Sequence, residues 1–136
     1  MRLIALDVGD KRIGVAMCDP DGILASPLTT LVRQAKDTSL DEILQIAEEN
    51  DVAEIVIGIP YSMSGRVGPQ TRITMDYANS LAGRTNLPIH RIDERLSSIQ
   101  AERMIRETGA RPSENKGKID SVAAAIILQA YLDSRK

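Results

Sequence analysis

Residues 3–18 read LIALDVGDKRIGVAMC, and this stretch decides the fold. It contains two aliphatic runs, Leu3–Val8 and Ile13–Cys18, which lie on either side of a Gly-Asp turn pair. The pattern predicts a strand, a tight turn and a second strand. A second turn signal follows at Asp19–Gly22, because proline presets φ and glycine tolerates positive φ. A third strand around Ile23–Leu31 would complete an antiparallel meander.

The rest of the chain alternates between helical and strand patterns. Ser39-Leu40-Asp41-Glu42 has the spacing of a capping box at the start of a helix. Glu54–Pro60 is a β-branched run typical of a strand buried on both faces, and Pro69 suits the first turn of a second helix. The remaining predicted elements are a strand over Pro88–Arg95, a helix from Ser97 to Gly109, a mobile polar segment over Ala110–Lys118, and a last helix over about Ile119–Leu132.

This order of elements predicts a single α/β domain over residues 1–136, a length that suits one domain. The expected sheet is mixed and has five strands, the antiparallel three-strand meander plus two parallel strands, with helices on both faces. Right-handed crossovers would place the later strands beside the first strand. In such a sheet, sites form at the carboxyl ends of the parallel strands. Candidate functional residues are therefore expected there.

The composition limits the chemistry that the chain can perform. It has no Trp, no Phe, three Tyr, one Cys and one His. A Cys/His zinc site is therefore excluded, and any metal site rests on oxygen ligands, which favours Mg²⁺ or Mn²⁺. The scarcity of aromatic rings argues against base stacking as the main grip on a nucleic acid. Because no stretch resembles a signal peptide or a membrane span, we expect a cytoplasmic protein with no membrane partner.

Carboxylates from separate elements converge on the predicted carboxyl end. Asp7 closes the first strand, where a carboxylate is costly unless it is paired or binds a metal. Asp93 and Glu94 end the last strand, and at most one of them points into a shared pocket because successive strand residues face opposite sides. Asp120 lies in the first turn of the last helix, where the helix dipole alone also favours an acid. Acids in this arrangement suit two-metal phosphodiester hydrolysis.

Basic residues lie next to these acids in sequence. They are Lys11, Arg12, Arg95, Lys116 and Lys118. We expect them to bind a nucleic acid by neutralising its phosphates, largely without regard to base sequence. The ordinary alternative is that their side chains are solvated and bind nothing.

Four motifs resemble those of the YqgF family, which is also called RuvX. In chain order they are Leu6–Ala16, Gly58-Ile59-Pro60, Asp93–Ser98 and Lys116–Ala124. Ile59 is a mild departure, because the second motif is usually Gly-Leu-Pro. The matches are in the right order and span nearly the whole chain, and together they are far more specific than any one of them.

The resemblance implies an RNase H-like fold with a nuclease active site. By motif position, Asp7, Glu94 and Asp120 would be the catalytic, metal-binding acids, with Asp93 as a substitute or helper. The family is linked to maturation of the 5′ end of 16S ribosomal RNA, so a metal-dependent nuclease acting on pre-16S rRNA is expected. The alternative substrate is branched DNA, as for a Holliday junction resolvase. The implied partners are nucleic acid and ribosomal particles, and we expect a monomer or a weak homodimer.

Two other classes of function stay open at this point. Asp7-Val8-Gly9 followed by Gly14-Val15-Ala16 also resembles the first phosphate loop of actin-like and sugar-kinase ATPases. Those folds normally use two such domains, whereas this chain has room for one. The second class is a non-catalytic RNA-binding or ribosome-assembly factor, in which the acids serve structure alone. Tight Mg-ATP binding by the monomer would favour the ATPase-like class, and metal-dependent cleavage by the pure protein separates a nuclease from a non-catalytic factor.

Overall fold

A computed structural model of the chain describes residues 1–33, 38–61, 65–93 and 116–135, with backbone alone for 116–118. Its strands are β1 (Arg2–Val8), β2 (Arg12–Cys18), β3 (Ala25–Val32), β4 (Val52–Ile59) and β5 (Ile89–Asp93). Its helices are α1 (Ser39–Glu49), α2 (Pro69–Ala82) and α3 (Lys116–Ser134). The helix predicted from Ser97 to Gly109 lies outside the described residues.

The five strands form one sheet in the order β3-β2-β1-β4-β5. β2 pairs antiparallel with both β1 and β3, whereas β4 pairs parallel with both β1 and β5. The predicted mixed sheet, a meander plus two parallel strands, is confirmed. Because β1, β3, β4 and β5 run in the same direction, they all end on one side of the sheet, which we call the carboxyl end.

Each face of the sheet is covered by helices over an aliphatic core. On one face, alternate β1 residues Ile4 and Leu6 pack with buried residues of α1 and α2. On the other face, Leu3 and Ala5 pack with buried residues of α3. This alternation assigns every β1 side chain to a face. Among the described residues, no helix is long and apolar enough to cross a membrane.

Two predicted helix starts are wrong. The N-cap of α1 is Thr38 and not Ser39. Ser39 is instead fully buried, and its hydroxyl is 2.6 Å from that of Tyr77. The last helix begins at Lys116 and not near Ile119, so Lys116-Gly117-Lys118 is helical and is no part of a polar loop or glycine hinge. One glycine costs a helix only about 1 kcal/mol, which the long buried face of α3 readily offsets.

Candidate active site

Asp7 lies one residue before the carboxyl end of β1. It continues the series of Leu3 and Ala5, which pack under α3, so its side chain belongs to the α3 face of the sheet. Its partner on β2 is Gly14. Asp7 is only partly buried, and its carboxylate therefore lies at the rim of the core, where solvent and a ligand have access.

The start of α3 lies directly against Gly14. A Cβ at position 14 would overlap the backbone carbonyl of Asp120 and would lie 2.8 Å from the amide nitrogen of Ser121. Gly14 is also the residue opposite Asp7, so both acids are neighbours of one glycine on the same face. Since partners across an antiparallel pair have Cα atoms about 4.5–5.5 Å apart, the backbones of Asp7 and Asp120 both lie beside Gly14.

Arg12 forms an ion pair with Asp120. Its Nε atom donates a hydrogen bond of 2.8 Å to Oδ2 of the carboxylate. The side chains are 37% and 24% exposed, so the pair is reachable from solvent. Arg12, which the sequence assigns to phosphate binding, is thus already engaged with one of the candidate metal ligands.

Asp93 does not share a face with Asp7. Ile92 packs against the α3-side core, whereas Asp93 is the partner of Ile59, which is buried in the core on the other face. Asp93 therefore lies on the α1–α2 side, and this geometry does not support it as a substitute ligand beside Asp7. Glu94 and Arg95 lie outside the described residues, as do the side chains of Lys116 and Lys118.

The described residues supply two of the three predicted acids. Within residues 1–33, 38–61, 65–93 and 116–135, no group of three or more His, Cys, Asp and Glu side chains could hold a metal ion. Asp7 and Asp120 are both oxygen donors, and that chemistry suits Mg²⁺ or Mn²⁺. Glu94, the third member of the predicted set, lies outside the described residues.

Three polar residues of α2 that were not among the predicted site residues form hydrogen bonds with the ends of β1 and β4. Gln70 Nε2 and Thr74 Oγ1 lie 3.0 and 3.5 Å from the carbonyl oxygen of Val8, the residue after Asp7. Thr71 Oγ1 donates a 2.6 Å hydrogen bond to the carbonyl oxygen of Pro60, just after β4. Thr71 and Thr74 are buried, at helical spacing with Ala78 and Leu81. That spacing is visible in the sequence and marks an inner helix face, but it does not identify the carbonyl partners.

Arg33 supports the turn between β1 and β2. Its Nη1 atom donates to the carbonyl oxygen of Gly9 at 3.1 Å, and its backbone amide donates to that of Lys11 at 2.8 Å. Its guanidinium also lies over the ring of Tyr77, 5.0 Å from the ring centre. Arg33 thus fixes the loop that follows Asp7. No sequence signal separates it from a solvated surface cation.

The chain matches the family model described as "RuvX: Holliday junction resolvase" over residues 1–134. It belongs to the RuvX family. Curated relatives include a Chloroflexus aurantiacus protein, 42% identical over 98% of this chain and 88% of its own length. A Synechococcus protein is 47% identical over 98% of this chain and 89% of its own length. Both are named "Putative pre-16S rRNA nuclease".

Solved structures share the fold. The RuvC protein of T. thermophilus, in complex with a Holliday junction substrate, has a TM-score of 0.58 and is 14% identical, covering 99% of this chain and 96% of its own. The fowlpox virus Holliday junction resolvase has a TM-score of 0.58 and is 12% identical, with both chains covered fully, 100% of each. These likenesses confirm the predicted RNase H-like fold. Membership of the RuvX family confirms the predicted class, a nuclease that acts on nucleic acid.

Proposed function

We propose that this chain is a metal-dependent nuclease that cleaves a phosphodiester bond during 5′-end maturation of pre-16S rRNA. Asp7, Asp120 and Glu94 hold Mg²⁺ or Mn²⁺ in this proposal. The observation that carries it is the placement of Asp7 and Asp120 beside Gly14, at the carboxyl end of the sheet. The names of the curated relatives favour pre-16S rRNA as the substrate.

The third acid is assigned by exclusion within one motif. Asp93 and Glu94 are the two acids of that motif, and Asp93 lies on the face away from Asp7. Glu94 is therefore the residue that we assign to the metal. When bound, two divalent ions supply an attacking hydroxide and stabilise the leaving oxygen.

The protein residues have separate tasks in this reaction. Asp7 and Asp120 supply anionic oxygens at the rim of the core, and the hydrogen bonds from Gln70 and Thr74 to Val8 keep the end of β1 in place. Holding the acids in a fixed position lowers the entropic part of the activation barrier. Phosphates outside the reacting centre are bound by cations, which we assign as Lys11, Arg12, Arg95, Lys116 and Lys118.

A second candidate substrate is branched DNA. The family model is described as a Holliday junction resolvase, and the T. thermophilus structure of the same fold was determined with a junction. The same acids would serve either substrate, because hydrolysis of a phosphodiester bond needs metal and phosphate but no base contact.

We further propose that the chain acts in the cytoplasm on ribosomal particles, as a monomer or a weak homodimer.

One experiment tests the function and the choice of substrate together. The purified protein is incubated with a precursor rRNA fragment that spans the mature 5′ end, and in parallel with a four-way DNA junction, each with Mg²⁺ or Mn²⁺. We expect metal-dependent cleavage of the RNA and weaker or no cleavage of the junction. Faster cleavage of the junction than of the RNA would make branched DNA, and not pre-16S rRNA, the preferred substrate. Tight RNA binding without cleavage in either metal would instead indicate a non-catalytic RNA-binding factor.

A further inference from the structure

The ion pair between Arg12 and Asp120 is held from both sides by rigid elements. Arg12 is the first residue of β2 and lies on the same face as Gly14, two positions later. Asp120 is fixed because its backbone rests on that same glycine. The fold therefore determines the 2.8 Å distance between Arg12 Nε and Asp120 Oδ2.

The charges at this point conflict once a metal is present. Without metal, the anionic carboxylate of Asp120 is balanced by the guanidinium of Arg12. A divalent ion bound to Asp120 would lie close to the same guanidinium, and like charges repel. The cation and the metal thus compete for one carboxylate.

We propose that Arg12 is the internal counter-ion of Asp120, which the metal displaces, and that the freed guanidinium then binds a phosphate of the nucleic acid. The inference rests on the proposed function, because it takes Asp120 as a metal ligand. Arginine is suited to this exchange, since the planar fork of its guanidinium matches the geometry of both carboxylate and phosphate. Its side chain is 37% exposed and can therefore reach an incoming phosphate.

Such an exchange couples metal binding to nucleic-acid binding. In the metal-free protein Arg12 is occupied by Asp120 and contributes little to phosphate binding. After metal binding, the same guanidinium becomes available. By linkage, a metal that strengthens nucleic-acid binding must itself be bound more strongly when nucleic acid is present. Arg12 should carry a measurable part of that coupling.

The direct test measures Mn²⁺ affinity by titration calorimetry without nucleic acid. We expect Arg12→Ala to bind Mn²⁺ about three- to tenfold more tightly than the wild type, because the competing charge is gone. Arg12→Lys, which keeps the charge, should stay near the wild type. Arg135→Ala is the matched control, since Arg135 forms a part-exposed ion pair with Glu54 just beyond the other end of α3. Its Mn²⁺ affinity should be unchanged.

A second readout measures binding of a model RNA hairpin with Ca²⁺ or with EDTA. The factor by which Ca²⁺ strengthens RNA binding should fall at least about threefold in Arg12→Ala and not in Arg135→Ala. Asp120→Asn separates this inference from the function itself. If Asp120→Asn leaves Mn²⁺ affinity unchanged, the proposed metal site is wrong. If Asp120→Asn weakens Mn²⁺ binding but Arg12→Ala fails to strengthen it, only the counter-ion role is overturned.

Discussion

The backbone carbonyl of Asp120 rests on Gly14 so closely that a Cβ at position 14 would overlap it. Gly14 is in turn the partner of Asp7 across the β1–β2 ladder. Only glycine lets α3 approach the sheet this closely at that point. The distance between two candidate metal ligands therefore depends on the absence of a side chain at a third residue.

The first prediction follows from this contact. Gly14→Ala should destabilise the protein by about 1–3 kcal/mol, because the new methyl group meets backbone that cannot move without shifting α3. Cleavage should fall further than the loss of stability explains, since Asp120 moves away from Asp7. Chemical denaturation and cleavage rates measure the two effects. Gly83→Ala is the control, because a Cβ there would have only ordinary contacts at 3.6 and 3.7 Å.

The second prediction concerns Arg33, which holds the turn after β1. Arg33→Ala should lower the cleavage rate by roughly tenfold, because small errors in position are costly in a positioned site. Its hydrogen bond to Gly9 and its contact with Tyr77 are lost, but the backbone pairing of Arg33 with Lys11 stays. Stability should change by only about 1 kcal/mol. Arg84→Ala, at an exposed ion pair with Asp41, should leave the cleavage rate unchanged.

The third prediction is a pH dependence at Glu54, whose side chain is 14% exposed. Burial raises the pKa of Glu54, but hydrogen bonds from His90 and Arg135 outweigh it and leave that pKa below its ordinary value of 4.5. The folded state thus binds the proton less readily than the unfolded state does. The contribution of Glu54 to the free energy of unfolding is fully present above pH 4.5, and it is lost as the pH falls through the lowered pKa of Glu54.

Glu54→Gln measures that contribution. At neutral pH the variant should be less stable than the wild type, by on the order of 1 kcal/mol, as for a hydrogen-bonded charged group. The difference between their urea midpoints should narrow as the pH falls below 4.5. Glu49→Gln, which removes an exposed carboxylate of α1, is the control for the loss of one acid. A constant difference at all pH values would show that Glu54 stabilises by its shape and not by its charge.

The fourth prediction concerns the two lysines at the start of α3. If Lys116 and Lys118 bind phosphates, nucleic-acid binding should weaken steeply with salt. The double variant Lys116→Ala, Lys118→Ala should then flatten the salt slope by about two phosphate contacts. Binding is measured in Ca²⁺, which is expected to fill the site without supporting cleavage. Arg84→Ala combined with Arg135→Ala removes two other cations and should leave the slope unchanged; an unchanged slope in the lysine variant would place the substrate elsewhere.

The sheet was predictable because its strands carry strong local signals. The aliphatic runs of β1 and β2, and the β-branched run of β4, each identify a strand without information from the rest of the chain. Helix starts were less predictable. Thr38 and Ser39 are both of residue types that commonly cap helices. The structure distinguishes them, because the Ser39 hydroxyl forms a hydrogen bond with that of Tyr77 in α2. That bond depends on packing between two helices, which local sequence does not encode.

The candidate site was predictable as residue types but not as contacts. Asp7 and Asp120 stand out because a carboxylate at the end of an apolar element costs free energy unless it is paired or binds a metal. Arg33 and the polar face of α2 could not be assigned, since their partners are backbone carbonyls of distant turns. The pairing of Arg12 with Asp120 joins residues 108 positions apart. Such pairs are decided by the fold and not by sequence spacing.

The most direct test of the nuclease mechanism compares Asp7→Asn with the wild type. Asparagine keeps the size of aspartate and one acceptor oxygen, but an NH2 donor replaces the second oxygen and the charge that would bind a metal is lost. Its thermal unfolding should stay close to that of the wild type, because the substitution keeps the volume of a partly buried side chain. Asp21→Asn, at an exposed turn, is the matched control and should cleave at the wild-type rate.

The measurement is the rate of Mg²⁺- or Mn²⁺-dependent cleavage of the precursor rRNA fragment and of the four-way junction by these three proteins. We predict cleavage by the wild type and by Asp21→Asn, and none above background by a fully folded Asp7→Asn. A folded Asp7→Asn protein that cleaves either substrate, prepared free of contaminating nuclease, would contradict the assignment of Asp7 and with it the proposed mechanism.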